Sequence, residues 1–173
     1  GGFYIDMDTI CHQSLNNLFN NPEYQQYDFI CSQMEIIPFI KIINNGVIFS
    51  KPKHNLLLLI LNSLHKHIDK RFYQNQDYYI LESTGPIFFN NIINEFYQDT
   101  ILILPHNFLE SCNLLDYQKC KKQGTYMTHH HTLSWSTSYF KLLFKILAQL
   151  NQYKLFILTI CILIVLINKI EKI

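Results

Sequence analysis

The chain has 173 residues, a mass of 20.6 kDa and a formal net charge of +1, from 14 Lys+Arg and 13 Asp+Glu. That length suits one domain with one buried core. Hydrophobic residues at 49% and charged residues at 16% exclude a disordered chain, and the charge balance lacks the basic footprint of a nucleic-acid binder, so no nucleic-acid partner is expected.

The chain opens on Gly1-Gly2 without Met, and reads as the C-terminal portion of something longer. Phe3-Tyr4-Ile5 reads as a buried strand ending at Asp6. Residues 12–35 are polar and Asn/Gln-rich, which suggests a helix followed by a loop. Ile36 to Ile43 and Gly46 to Phe49 are β-type runs, and Asn44-Asn45-Gly46 between them is a turn signal. Pro52 precedes a helix over about 54–68, in which Leu56 to Leu61 is apolar on every face and should be buried. Tyr78 to Leu81 reads as a strand. Ser83-Thr84-Gly85-Pro86 then opens a helix through about Tyr97, with Thr84 able to cap it and Pro tolerated in its first turn. Ile101 to Leu104 is a strand stopped by Pro105, residues 106–125 are irregular, and Tyr126 to His131 is extended. Strands alternating with helices define an α/β class.

The last part differs in character. Residues 139–152 form an amphipathic helix with Lys141 and Lys145 on one side. Residues 153–170 form a hydrophobic helix whose uncharged stretch, Leu155 to Ile167, is thirteen residues long. A bilayer core takes about 20 apolar residues, and flanking Tyr153, Lys154 and Lys169 could extend the span at the interfaces. The alternatives are a membrane anchor and a buried terminal helix. An anchor would make the protein membrane-associated, in an endomembrane of the Golgi type if the source is eukaryotic. No Asn-x-Ser/Thr sequon occurs despite 16 Asn. The five Cys are scattered without a CxxC pair, against a zinc ribbon or a complete disulfide framework.

Four places could carry chemistry, one of them the segment Asn45 to His54, which taken alone is a turn, a strand and a helix start. Asp6 and Asp8, two apart at a strand end, point the same way and can jointly address one divalent cation such as Mg2+ or Mn2+. A lone pair of this kind arises often by chance, and the plain alternative is a solvated loop pair. In an extended segment His129 and His131 share a face while His130 points away, and a neutral imidazole suits Mn2+ or Zn2+. Trp135 could stack on a base or sugar ring, or sit in the core. Gly85, before a helix, lets a ligand approach the backbone and its unpaired N–H groups.

Taken in order, Gly-Gly-Phe-Tyr-Ile-Asp-Met-Asp, then Asn45-x4-Ser50-x-Pro52-x-His54, then Thr84-Gly85-Pro86, then His129-x4-Ser134-Trp135 resemble the DXD-containing sugar transferases of glycosyltransferase family 32. The resemblance spans residues 1 to about 138, read as the catalytic segment. It implies a GT-A-like fold lacking its N-terminal nucleotide-binding half, so that the sheet would present an open edge. It also implies a nucleotide-sugar donor, a divalent cation, usually Mn2+, and transfer of a hexose, in some members mannose, to a glycan or glycolipid acceptor. Carried over, Asp8 and His129 bind the metal, with His130 as the alternative histidine, and Asp6 contacts the ribose and the metal shell. Asn45 lies beside the donor sugar, Thr84 and Gly85 border the sugar pocket, and Ser134 and Trp135 close over the diphosphate. No catalytic nucleophile is implied. Two other readings compete: an inactive, membrane-anchored transferase remnant, and a haloacid dehalogenase-type phosphatase. The phosphatase motif wants Thr or Val where Ile10 stands, and no downstream acidic pair occurs.

Overall fold

A computed structural model describes residues 1–37, 40–65, 75–113, 120 and 123–150. Within them a mixed four-stranded sheet has the order β1-β4-β3-β5: β1 (Gly2–Ile5), β4 (Ile40–Ser50), β3 (Phe29–Ile37) and β5 (Ile101–Leu104). β3 and β5 run parallel, the other pairs antiparallel. A separate two-stranded ribbon joins β2 (Thr9–Cys11) to β6 (Met127–His129), with Thr9 opposite His129. The α/β class is as expected.

The core is built on both faces of β3, because successive side chains of a strand point to opposite sides. Phe29 and Cys31 pack with Leu56 of α2 (Asn55–Leu64) and with Phe88, Phe89, Ile92 and Ile93 of α4 (Pro86–Glu95). Ile30 points the other way, to Leu18 of α1 (Asn16–Phe19), Leu104, Met127 and Leu109 of α5 (His106–Leu109). The strand is therefore buried on both sides, which erases the period-two signal. This is why 29–35 reads from sequence as a loop when it is the central strand.

Other expectations are corrected. Asn44-Asn45-Gly46 is not a turn: β4 runs straight through it. The pairing with β3 breaks there, jumping from Ile30↔Phe49 to Ser32↔Asn44. The intervening residues turn to β1 instead, with Ile5↔Val47 and Asp6 N–H donating to Gly46 O at 2.8 Å. The glycine serves an irregularity in a long strand rather than a hairpin. β1 is not buried: it pairs only with β4 among the described residues, and Phe3 and Tyr4 stand exposed.

The 78–81 strand is a helix, α3 (Gln76–Ser83), because Asn75 caps it by accepting from Tyr78 N–H at 2.7 Å. Thr84 does not cap the next helix. It ends α3, with Oγ1 donating to Ile80 O, and Gly85 is the N-cap of α4, followed by the expected Pro86. α2 starts where expected, with His54 Nδ1 accepting from Leu56 N–H. It buries only one face: Leu56 is 3% exposed but Leu61 63%.

Residues 138–150 are helical, with Leu142, Ile146 and Leu150 exposed. Thr137 caps the start, and Asp77 of α3 holds that cap, accepting from Thr137 N–H and Ser136 Oγ at 2.8 Å each. The hydrophobic helix expected over 153–170 lies outside the described residues. Among those described, no helix is long and apolar enough to cross a membrane. Cys112 and Cys120 are disulfide-bonded, while Cys11 and Cys31 are free thiols.

Candidate functional site

Two carboxylates, Asp6 and Asp8, meet a histidine at the end of β1. β1 ends at Ile5, so Asp6 and Asp8 leave the edge on a short turn in which Thr9 N–H donates to Asp6 O. β6 delivers His129 beside them. His129 Nε2 lies 3.0 Å from Asp8 Oδ1 and 3.5 Å from Asp6 Oδ2. The residues after β6 clamp Asp8 from the other side: Thr132 N–H and Thr132 Oγ1 donate to Asp8 Oδ2 at 2.7 and 2.9 Å. His131 and Leu133 adopt left-handed backbone (φ 49 and 51) to make that tight path, a conformation costing about 1–2 kcal/mol for each L-residue. Tyr4 completes the edge by donating its hydroxyl to Asp6 Oδ1 at 2.7 Å.

Beneath His129 lies a residue absent from the sequence-based candidates. Glu110, just after α5, is fully buried, and its Oε2 accepts from His129 Nδ1–H at 2.9 Å. Asn44 Nδ2 of β4 and Ser32 Oγ of β3 donate to its Oε1 at 3.0 and 3.3 Å. His131 stacks beside His129, ring centroids 4.1 Å apart, and donates Nε2–H to Cys112 O at 3.2 Å. The two imidazoles lie side by side, but not by the extended alternation expected over 126–131: β6 ends at His129 and His131 has left-handed backbone. One hint at Glu110 was available: a lone acidic residue closing the apolar run Phe108-Leu109. Nothing local points it inward, since its partners come from β3, β4 and β6.

The electrostatics follow from this packing. Burial opposes charge on His129, but its hydrogen bonds to Asp8 and Glu110 win and lift its pKa to about 10. The His129 hydrogen bond in turn holds the Asp8 carboxyl well below the usual carboxylate range. Asp6 is raised by burial, against the Tyr4 hydrogen bond and the His129 charge, while its hydrogen bond raises Tyr4 to about 12. Burial and the charge of His129 push His131 down to about 4, leaving it neutral.

The donor set suits a hard or borderline divalent cation. Asp6, Asp8 and His129 each offer one atom, all within 4.8 Å of one another. Neighbouring ligands of an octahedral ion at ~2.1 Å stand ~3.0 Å apart, close to the His129–Asp8 separation. Two carboxylate oxygens with one imidazole nitrogen form a set that could hold a divalent cation.

A cleft of about 520 Å3 opens over these groups, within the range of about 300–1,000 Å3 usual for small-molecule sites. Asp6, Asp8, His129, Asn45, Ser134 and Trp135 all line it. Thr84 lines a neighbouring apolar cavity of about 660 Å3, which meets the cleft at Tyr4 and Asn45, and its carbonyl accepts from Asn45 Nδ2 at 3.4 Å. Gly85 is among the lining residues of neither space. A Cβ there would lie 2.8 Å from Leu81 Cα, so its lack of a side chain lets α4 start against α3. Its neighbour Pro86 lines the cleft instead.

Fold and site together define a mixed α/β protein with a carboxylate–histidine cleft at the edge of its sheet. The chain is similar to an uncharacterized glycosyltransferase of Acanthamoeba polyphaga mimivirus, 28% identical over 142 residues, or 79% of this chain and 52% of that protein. It thus spans about half the length of the curated relative it matches. No protein-family model matches the chain, and no solved structure matches it.

Proposed function

We propose that this chain is the catalytic segment of a metal-dependent glycosyltransferase that moves a hexose from a nucleotide-sugar donor to a glycan or glycolipid acceptor. The observation that carries the reading is the meeting of Asp6, Asp8 and His129 in one cleft that Trp135 also lines, in a chain similar to a protein bearing that name. A GT-A-like arrangement is part of the same proposal.

Asp6 Oδ2, Asp8 Oδ1 and His129 Nε2 would hold the cation. When bound, it would neutralise charge developing on the departing diphosphate oxygens. Thr132 keeps Asp8 Oδ1 facing the cleft by occupying Oδ2 with two hydrogen bonds. Tyr4 does the same for Asp6, taking Oδ1 and leaving Oδ2 turned to His129. To ligate, His129 would have to give up its Nε2 proton, as a nitrogen ligand must. Trp135, half exposed at the rim, offers an indole face to a base or sugar ring. Asn45 presents an amide to donor-sugar hydroxyls.

The test is titration calorimetry of the chain with a panel of UDP- and GDP-sugars, with and without Mn2+. Mn2+-dependent binding that Asp8→Asn removes while the fold persists is the expected outcome. Asn retains an acceptor for Thr132, so the variant isolates the charge. Donor binding that ignores both the cation and the substitution would refute the proposal.

A further inference from the structure

We infer that Glu110 is a positioning residue for the candidate metal site, acting through His129 rather than on the ligand. The inference rests on the metal-dependent reading above, and names a residue that reading does not use.

A histidine can ligate through only one nitrogen at a time here, and the choice depends on what holds the other. Glu110 Oε2 accepts from Nδ1–H at 2.9 Å, which reserves the Nε2 lone pair for the side where Asp6 and Asp8 stand. The carboxylate is itself fixed. Ser32 and Asn44 donate to its other oxygen from two strands of the main sheet, and Glu110 O accepts from His129 N–H at 3.0 Å. The ring of His129 is thus held by the Glu110 side chain and its backbone N–H by the Glu110 carbonyl, both from one buried residue.

Stability alone gives no reason for the arrangement. A fully buried carboxylate must be desolvated, and a well-packed apolar residue of similar volume is often neutral or better. What the carboxylate supplies that an apolar residue cannot is a fixed tautomer and a fixed ring plane. Gly46 reinforces this from the remaining side, because its missing Cβ leaves the space the ring occupies.

The experiment is Mn2+ titration of the wild-type chain, Glu110→Gln, His129→Asn and the double variant, with nitrogen coupling to bound Mn2+ read by pulsed electron paramagnetic resonance. An amide at 110 can turn its NH2 toward Nδ1 and favour the wrong tautomer. Glu110→Gln should weaken Mn2+ binding about 10–100-fold and diminish the histidine nitrogen coupling. In the His129→Asn background the same substitution should change affinity less than twofold, because its effect passes through the ring.

An equal loss in both backgrounds would make Glu110 a merely structural residue and overturn the inference. So would unchanged affinity in Glu110→Gln, or loss of a second Mn2+ equivalent, which would make Glu110 a ligand. If the amide variant does not fold, Glu110→Asp, which keeps the charge but withdraws it from Nδ1, is judged by the same criteria. A wild-type chain that binds no Mn2+ overturns the parent reading and this inference together. Binding that Asp8→Asn abolishes and Glu110→Gln leaves alone overturns only the inference.

Discussion

Adding one methyl group at Gly46 should disable the candidate metal site without replacing any of its ligands. A Cβ built there lies 2.6 Å from His129 Cε1 and 2.8 Å from Nδ1, against ordinary contact at 3.4–4 Å. The ring would have to retreat by about 0.8 Å, whereas metal–ligand distances tolerate about ±0.2 Å. It cannot retreat freely, because Glu110 holds Nδ1 and the backbone N–H of His129 is tied to Glu110 O. Displacements of this kind around a ligand cost about 10–100-fold in affinity, or roughly 1.4–2.7 kcal/mol. Gly46 is not in the left-handed region, so alanine imposes no backbone strain, and by restricting the unfolded chain it would otherwise add about 0.4–1 kcal/mol. Mn2+ titration of Gly46→Ala beside the wild-type chain, with melting curves of both in chelator, separates ring displacement from unfolding. A folded variant that binds Mn2+ within twofold of wild type would refute the geometry.

Asp77→Asn should loosen the segment that follows Trp135, because Asp77 accepts from Ser136 and Thr137 at the start of the 138–150 helix. Burial raises the Asp77 pKa, but these hydrogen bonds outweigh it and hold the carboxyl below its ordinary value. A depressed carboxyl contributes stability that is present above the unfolded value, about 3.9, and is lost as pH falls. The melting-temperature gap between wild type and Asp77→Asn should therefore be constant near neutrality and close below about pH 4. A gap that widened in acid would contradict the assignment.

Leu56→Ala should cost about 2–4 kcal/mol in denaturant unfolding, whereas Leu61→Ala should cost less than about 0.5 kcal/mol, because only Leu56 reaches the core. Equal costs would mean that α2 is docked through another face. Cys120→Ser should remove about 2–3 kcal/mol by opening the short loop closed to Cys112, and a chain indifferent to the substitution would show that the bond does not constrain the unfolded state.

Local chemistry by itself settled the elements that carry their own signals. Pro105 ends β5, Pro86 opens α4, and the apolar run from Leu56 makes α2, each because a single residue or a short pattern restricts the backbone directly. The pairing of Asp6 with Asp8, the rise of His129 at a strand end and the presence of Trp135 nearby were likewise legible as residue types that suit a cation and a ring. Where neighbours override local preference, the tertiary structure decided. β3 forms where a loop was expected because Phe29 and Cys31 are covered on one face and Ile30 on the other, Tyr78–Leu81 is helical because Asn75 caps it and α4 packs on it, and Asn44-Asn45-Gly46 stays extended because β1 takes over the pairing. The same holds for the site. Glu110 meets His129 only because β3, β4 and β6 bring Ser32, Asn44 and His129 against it, and no spacing along the sequence encodes that meeting. A sequence shows which groups could bind a cation. The fold alone fixes which nitrogen faces it, since that depends on contacts between residues far apart in the chain.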